Sequence, residues 1–238
     1  MPGSPRALPF VLLGVFTILV VGAIALSLST APPTDDQQLH IAAAATLDAS
    51  GFVVVDTNSV TSPGAATPGS GSETVVVHVL YQAPDAIEES ELGPGGQAGA
   101  VILIGARRFR ESGGQWTELP PSPGLGVRVV KTIQSPLRAA SGAVVVSRDG
   151  DLYRFVPKGL DRFLSSVLGV RPSQASSPVL TAEVQGEFLT HERITALVGA
   201  QRLTVDLVFS DVGSAPPVEA PPTSSLVPGS ASGAAGTP

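Results

Sequence analysis

Hydrophobic positions along the chain follow two periods. In the stretch 73–81, Val75, Val77, Val79 and Tyr81 point to one side of a predicted strand, and Val76, His78 and Leu80 point to the other. Leu180, Ala182 and Val184 alternate with Thr181 and Glu183, and Leu203, Val205, Leu207 and Phe209 alternate with Thr204, Asp206 and Ser210. A long strand is expected over 188–198, and a β-branched one over 52–56, directly after Gly51. The segments 144–147 and 152–156 flank Arg148-Asp149-Gly150-Asp151, where Asp-Gly supplies the positive φ of a tight hairpin turn. Short strands are also expected over 100–104 and from Arg107. Alternation with one apolar and one wet face describes an antiparallel sheet.

The second period is helical. Leu39, Ala43, Thr46 and Leu47 share one stripe, with Asp35 and Asp36 at the positive end of the helix and Gly51 stopping it. Ser135-Pro136-Leu137 predicts an N-cap and a proline at the first helical position, opening a short helix to Ala140. The segment 159–168 carries Leu160, Phe163, Leu164, Val167 and Leu168 on one face, with Asp161, Arg162, Ser165 and Ser166 on the other. Residues 62–72 read as a hairpin-tip loop. Pro84 breaks the preceding strand, so 85–91 is expected to be a polar, edge-like strand or loop.

An apolar stretch at 8–28, without a charge, matches the thickness of a bilayer core. It is longer than the centre of a secretory signal, which favours a retained anchor over a cleaved leader. Arg6 precedes it, and no Lys or Arg recurs until Arg107, which places the N-terminus in the cytoplasm and the domain outside the plasma membrane as a single-pass protein. The expected organisation is a cytoplasmic tail at 1–7, an anchor at 8–28, a linker at 29–35, one extracytoplasmic domain at 36–212 and a disordered Pro/Ala/Ser/Gly-rich tail at 213–238.

Composition narrows the chemistry. The formal charge is −6 and only 14% of residues are charged, which leaves no basic patch for nucleic acid. There is no cysteine, hence no disulfide, thiolate site or acceptor for a lipoprotein-type lipid anchor. His40, His78 and His191 lie far apart in sequence and read as wet positions on a helix and on strands. Glu88, Glu89 and Glu91 lack the spacing of a calcium loop, Gly93 to Gly99 lacks a phosphate-binding lysine, and Trp116 reads as a core anchor. No nucleophile motif or dinucleotide fingerprint occurs, so the expectation is a non-enzyme with no catalytic residue, no metal and no cofactor.

The order of several short motifs resembles the actinobacterial LppX/LprAFG lipoprotein family, which shares a half-barrel with the carrier LolA. They are Thr46-Leu47-Asp48-Ala49-Ser50-Gly51-Phe52, Tyr81-Gln82-Ala83-Pro84-Asp85, and Ile102-Leu103-Ile104-Gly105 leading to Phe109 and Trp116. Ser135-Pro136-Leu137, Tyr153-Arg154-Phe155 and Leu207-Val208-Phe209-Ser210-Asp211-Val212-Gly213 extend the likeness over roughly 37–217. It implies an α+β fold, a curved antiparallel half-barrel with helices on its concave side, here with a membrane helix in place of the lipobox cysteine. It also implies an apolar cavity for an acylated lipid or lipoglycan, for which Val77, Val79, Tyr81, Leu160, Phe163, Leu164, Val167, Val205, Leu207 and Phe209 are the candidates. The same side chains equally suit a filled core, since sheet and helices must bury these faces with or without a guest. The expected function is therefore a tethered lipid-binding or lipid-transfer protein of the cell envelope; the alternative is a non-enzymatic envelope interaction or sensor module with a packed core and no ligand.

Overall fold

The computed structural model describes residues 32–62, 72–93 and 96–227. Helix α1 (Asp35–Asp48) leads into a meander of six strands: β1 (Gly51–Thr61), β2 (Ser72–Gln82), β3 (Ala86–Gly93), β4 (Gly96–Ile104), β5 (Arg107–Ser112) and β6 (Gln115–Leu119). Two helices follow, α2 (Leu125–Ile133) and α3 (Ser135–Ala140), and then the hairpin β7 (Val144–Asp149) and β8 (Leu152–Val156). Helix α4 (Leu160–Leu168) precedes β9 (Ala175–Gln185), β10 (Phe188–Val198) and β11 (Gln201–Ser210), and a two-residue strand β12 (Leu226–Val227) ends the described chain.

All twelve strands form one sheet in the order β12-β6-β5-β4-β3-β2-β1-β11-β10-β9-β8-β7. Two sequential meanders meet where β1 pairs antiparallel with β11, and among the described strands only β12 on β6 is parallel. The sheet is open, with β12 and β7 at its two margins. The half-barrel curled around its helices is thus corrected to an open α+β sheet: alternation fixes which face each side chain takes, while closure depends on stagger and bulges that the pattern does not encode. The polar segment after Pro84, expected at an edge, is β3, paired on both sides by β2 and β4.

Pairing register assigns the faces. Phe52, Val54, Asp56 and Asn58 of β1 stand in line with Tyr81, Val79, Val77 and Val75 of β2, and Phe209, Leu207 and Val205 of β11 continue the last three rows that follow Phe52. This inner face and the helices bury the main core, which includes Leu39, Phe52, Ile87, Leu137, Tyr153, Phe155, Leu164, Leu189 and Ile194. Phe52 anchors it, with its ring 4.9 Å from Tyr81 and 5.7 Å from Phe209 between centroids, in tilted and edge-on geometries. Gly51 is required by close approach, because a Cβ there would lie 2.6 Å from the Tyr81 carbonyl oxygen.

Helix α1 is locked to the sheet by polar bonds as well as by Leu39, Ala42 and Ala43. The Thr46 hydroxyl donates to the Ala42 carbonyl (3.0 Å) and accepts the backbone N–H of Leu189 (3.0 Å). At the β7 margin the Val145 N–H donates to Asp36 (2.6 Å), and His40 Nε2 donates to the Ala143 carbonyl (2.7 Å). His40 therefore ties helix to loop rather than facing water.

The segment after β11, expected to be disordered from 213, crosses the outer face instead. Val218 is 7% exposed, donates its N–H to Gln82 Oε1 (3.1 Å), and joins Ala86, Ile102 and Phe109 in a second cluster with Trp116 and Leu226 packed against it. Its few apolar residues suffice because Phe109 and Ile102 would otherwise stand bare. Among the described residues no helix is long and apolar enough to cross a membrane. The 8–28 segment lies outside the described residues, so the single-pass anchor, the membrane as a partner and the topology drawn from them are corrected: nothing in the described fold carries them.

Candidate functional site

The ten residues expected to line a cavity share the inner face and its helical cover, but most of them fill space. Tyr81, Phe163, Leu164 and Phe209 are buried in the main core, with Val77 and Leu160 packed against it. Tyr81 also accepts a hydrogen bond at its hydroxyl from Gln134 Nε2 (3.3 Å). Burial holds the Tyr81 phenol above its usual pKa, against the lowering effect of that bond and of the Arg138 charge, with Asp85 adding slightly to the rise. Val79, Val167, Val205 and Leu207 do border a void, a cavity of 170 Å³ between the sheet and helices α2 to α4. A second, more open space of 330 Å³ shares Asn58, Val167 and Val205 with it and reaches Glu73 at the strand ends.

Four lining residues of the inner cavity are polar: Asp56, Asn58, Thr132 and Ser166. Asn58 Nδ2 donates to Asp56 Oδ1 (2.8 Å). Burial, against that hydrogen bond and reinforced by Glu89, raises the Asp56 carboxyl to about 6. Thr132 donates its hydroxyl hydrogen to the Arg128 carbonyl (3.2 Å) and Ser166 donates to the Phe163 carbonyl (2.8 Å). Residue-type reading missed Asp56 and Asn58, although a signal was present: both are in phase with Phe52 and Val54 on the buried side of β1.

A second carboxyl lies deeper. Glu192 is fully buried on β10, in register between Ala182 and Leu207, and neither carboxyl oxygen has a hydrogen-bond partner. Burial pushes its pKa up to about 8, so it is mostly protonated at neutral pH. It too is in phase with inward residues, Ile194 and Ala196.

The outer face differs along its length. Around Ala86, Ile102 and Phe109 it is covered by the C-terminal segment. Over β7, β8 and β11 it exposes Val144 (55%), Val146 (62%), Val156 (43%) and Val208 (46%). Between them His191 Nε2 pairs with Asp206 Oδ1, His191 Nδ1 lies 3.3 Å from Glu183, and Arg193 Nη2 donates to Asp206 Oδ2 (2.5 Å). Burial alone would raise Asp206, but the bonds from Arg193 and His191 outweigh it and hold the carboxyl below its usual range. Among the described residues no group of three or more His, Asp or Glu is placed to hold a metal ion.

Compared with known proteins, the sequence matches no family model and no curated protein. Solved structures do align with the fold. LprF from Mycobacterium bovis gives a TM-score of 0.48 at 12% identity, over 78% of this chain and 96% of that one. The lipoprotein LppX from Mycobacterium tuberculosis gives 0.42 at 16% identity, over 78% of this chain and all of that one. A LolA superfamily protein from Nitrosomonas europaea gives 0.32 at 10%, over 81% and 97%. The likeness is distant and partial. At these identities and scores it does not place the chain in the LppX/LprAFG family, and the membership expected from motif order is corrected accordingly.

Proposed function

We propose that the protein is a non-enzymatic interaction module that presents the uncovered half of its sheet's outer face to a protein partner. The filled interior carries this reading. The inner cavity measures 170 Å³, below the about 300–1,000 Å³ of pockets that engulf drug-sized ligands, and the 330 Å³ space beside it is open at the strand ends and does not enclose a guest. Large side chains such as Phe52, Phe155 and Leu164 occupy the volume a long acyl chain would need.

The surface supports the same reading. The outer face around Ala86, Ile102 and Phe109 is buried under the chain's own extended segment, so this face suits cover by protein. On the uncovered half, apolar Val144, Val156 and Val208 stand beside a fixed charge cluster of Asp206, Arg193 and Glu183, an apolar patch with a polar rim of the kind found at recognition surfaces.

Two measurements test it. Organic extraction of the purified full chain, followed by mass spectrometry, is expected to release no stoichiometric lipid; a stoichiometric acyl lipid overturns the packed-interior reading. A photoreactive residue at Val208 or Val156 in native cells should give a discrete protein adduct that is missing with the same probe at Arg128. Equal labelling at all three positions overturns the assignment of the surface.

A further inference from the structure

The inner cavity is small but chemically one-sided. Its carboxylate donor set has no counterpart: none of its lining residues is basic, and among the described residues Asp56 forms no ion pair with Lys, Arg or His. Thr132 and Ser166 have committed their hydroxyl hydrogens to backbone carbonyls, so toward the cavity they offer lone pairs only. The inner face around it adds negative charge. Glu91 stands in the same cross-strand row as Asp56 beyond Val77, Glu89 in the row beside it, and Glu73 faces Val60 at the strand ends. The cations of the covering helices, Arg128 and Lys131 on α2, Arg138 on α3 and Arg162 on α4, are exposed and none lines the cavity, and the nearest basic position on this face in the β1 to β6 meander, Arg110, lies on β5, four strands away.

We propose that this cavity binds a small primary alkylammonium group, with its charge on Asp56 and its methylenes among Val54, Val79, Val205 and Leu207. An ammonium brings three donors and no acceptor, which complements a carboxylate and two acceptor hydroxyls. The volume of 170 Å³, at about 30 Å³ per water-sized unit, admits roughly five or six non-hydrogen atoms, the size of a butylammonium or the end of a lysine side chain. A hard metal ion would need six or more oxygen ligands, where the cavity offers one carboxylate among apolar walls. Thr132 and Ser166 are both exposed and mark the mouth between α2 and α4. Binding holds Asp56 ionised, so the site weakens as acid protonates the carboxyl, whose pKa in the empty site is about 6.

The site stands apart from the partner surface on the outer face, and its test is separate. The full chain is titrated at pH 7.5 with n-butylammonium and, in parallel, with n-butanol, following the methyl resonances of Val54, Val79 and Val205. Saturable binding of the amine is expected, with the alcohol at least tenfold weaker. The Asp56→Asn variant should lose at least tenfold in amine affinity and leave the alcohol unchanged. Lowering the pH to 5 should cost the unmodified chain about tenfold and the variant nothing. Equal binding of amine and alcohol overturns the proposal, as does an Asp56→Asn chain that binds the amine undiminished. Val205→Phe fills the void while keeping Asp56, and full amine binding by that chain also overturns it. A lysine-containing tripeptide amide in place of the free amine tells a protein side chain from a free metabolite as the source, since only a site open enough for the peptide backbone shifts with both.

Discussion

Single residues carry two opposed kinds of polarity inside this protein. Thr46 is fully buried and fully used, accepting the Leu189 N–H while donating to its own helix. Thr46→Val keeps the shape and strands a buried donor, and is expected to lower stability by about 1–3 kcal/mol in urea unfolding. Glu192 is buried and used by nothing. Its folded pKa of about 8 lies above the ordinary 4.5, so the stability tied to its protonated form is complete below about 4.5 and is lost as pH rises through 8. Glu192→Gln should therefore melt like the unmodified chain at pH 5 and be the more stable by on the order of a few kcal/mol at pH 9. An identical pH profile in the two proteins would refute the buried, partnerless carboxyl. Both acids, Asp56 and Glu192, were legible as inward positions of an alternating strand, and both escaped because a charged residue in such a run reads at first as a wet one.

At the scale of elements, strongly periodic segments were readable and context-dependent ones were not. Helix α4 begins and ends at Gly159 and Gly169, both with positive φ, within a residue of its expected span. The β7–β8 hairpin lies where Asp149-Gly150 put it. Helix α2, by contrast, was hidden by composition: Val127, Val129, Val130 and Ile133 are β-branched like a strand, although Leu125, Val129, Val130 and Ile133 recur at helical spacing and face the core. Its first turn approaches the β3–β4 region so closely that a Cβ on Gly126 would meet the Asp85 and Gly105 carbonyl oxygens at 3.1 and 3.3 Å. The β7 margin is protected by α1 through Asp36 and His40. Asp36→Ala frees the Val145 N–H at an open sheet edge and should produce concentration-dependent self-association in sedimentation, with the unmodified chain remaining monodisperse under the same conditions.

For the whole molecule, sequence pattern gave the α+β class and the antiparallel pairing, but neither the openness of the sheet nor the degree to which its interior is filled. Those depend on how twelve strands stagger and how helices settle, which is a property of the assembled rows and not of any one segment. The C-terminal segment shows the same limit: its Pro-, Ala- and Ser-rich composition reads as tail, and only the bare outer row of Ile102 and Phe109 gives it something to cover. Truncation after Val212 is expected to cost on the order of 2–5 kcal/mol through loss of Val218 and Leu226 and to expose that row, read as a lower melting temperature together with dye binding to apolar surface.

The described chain enters beside β7, where Asp35 takes a hydrogen bond from Arg148 (3.0 Å), and leaves on β12 at the opposite margin. A pull between residues 35 and 227 therefore acts across the strands and not along them. Hydrogen-bonded rows loaded in that direction open one after another like a zipper, so the protein should yield gradually under small mechanical forces, whatever its resistance to heat.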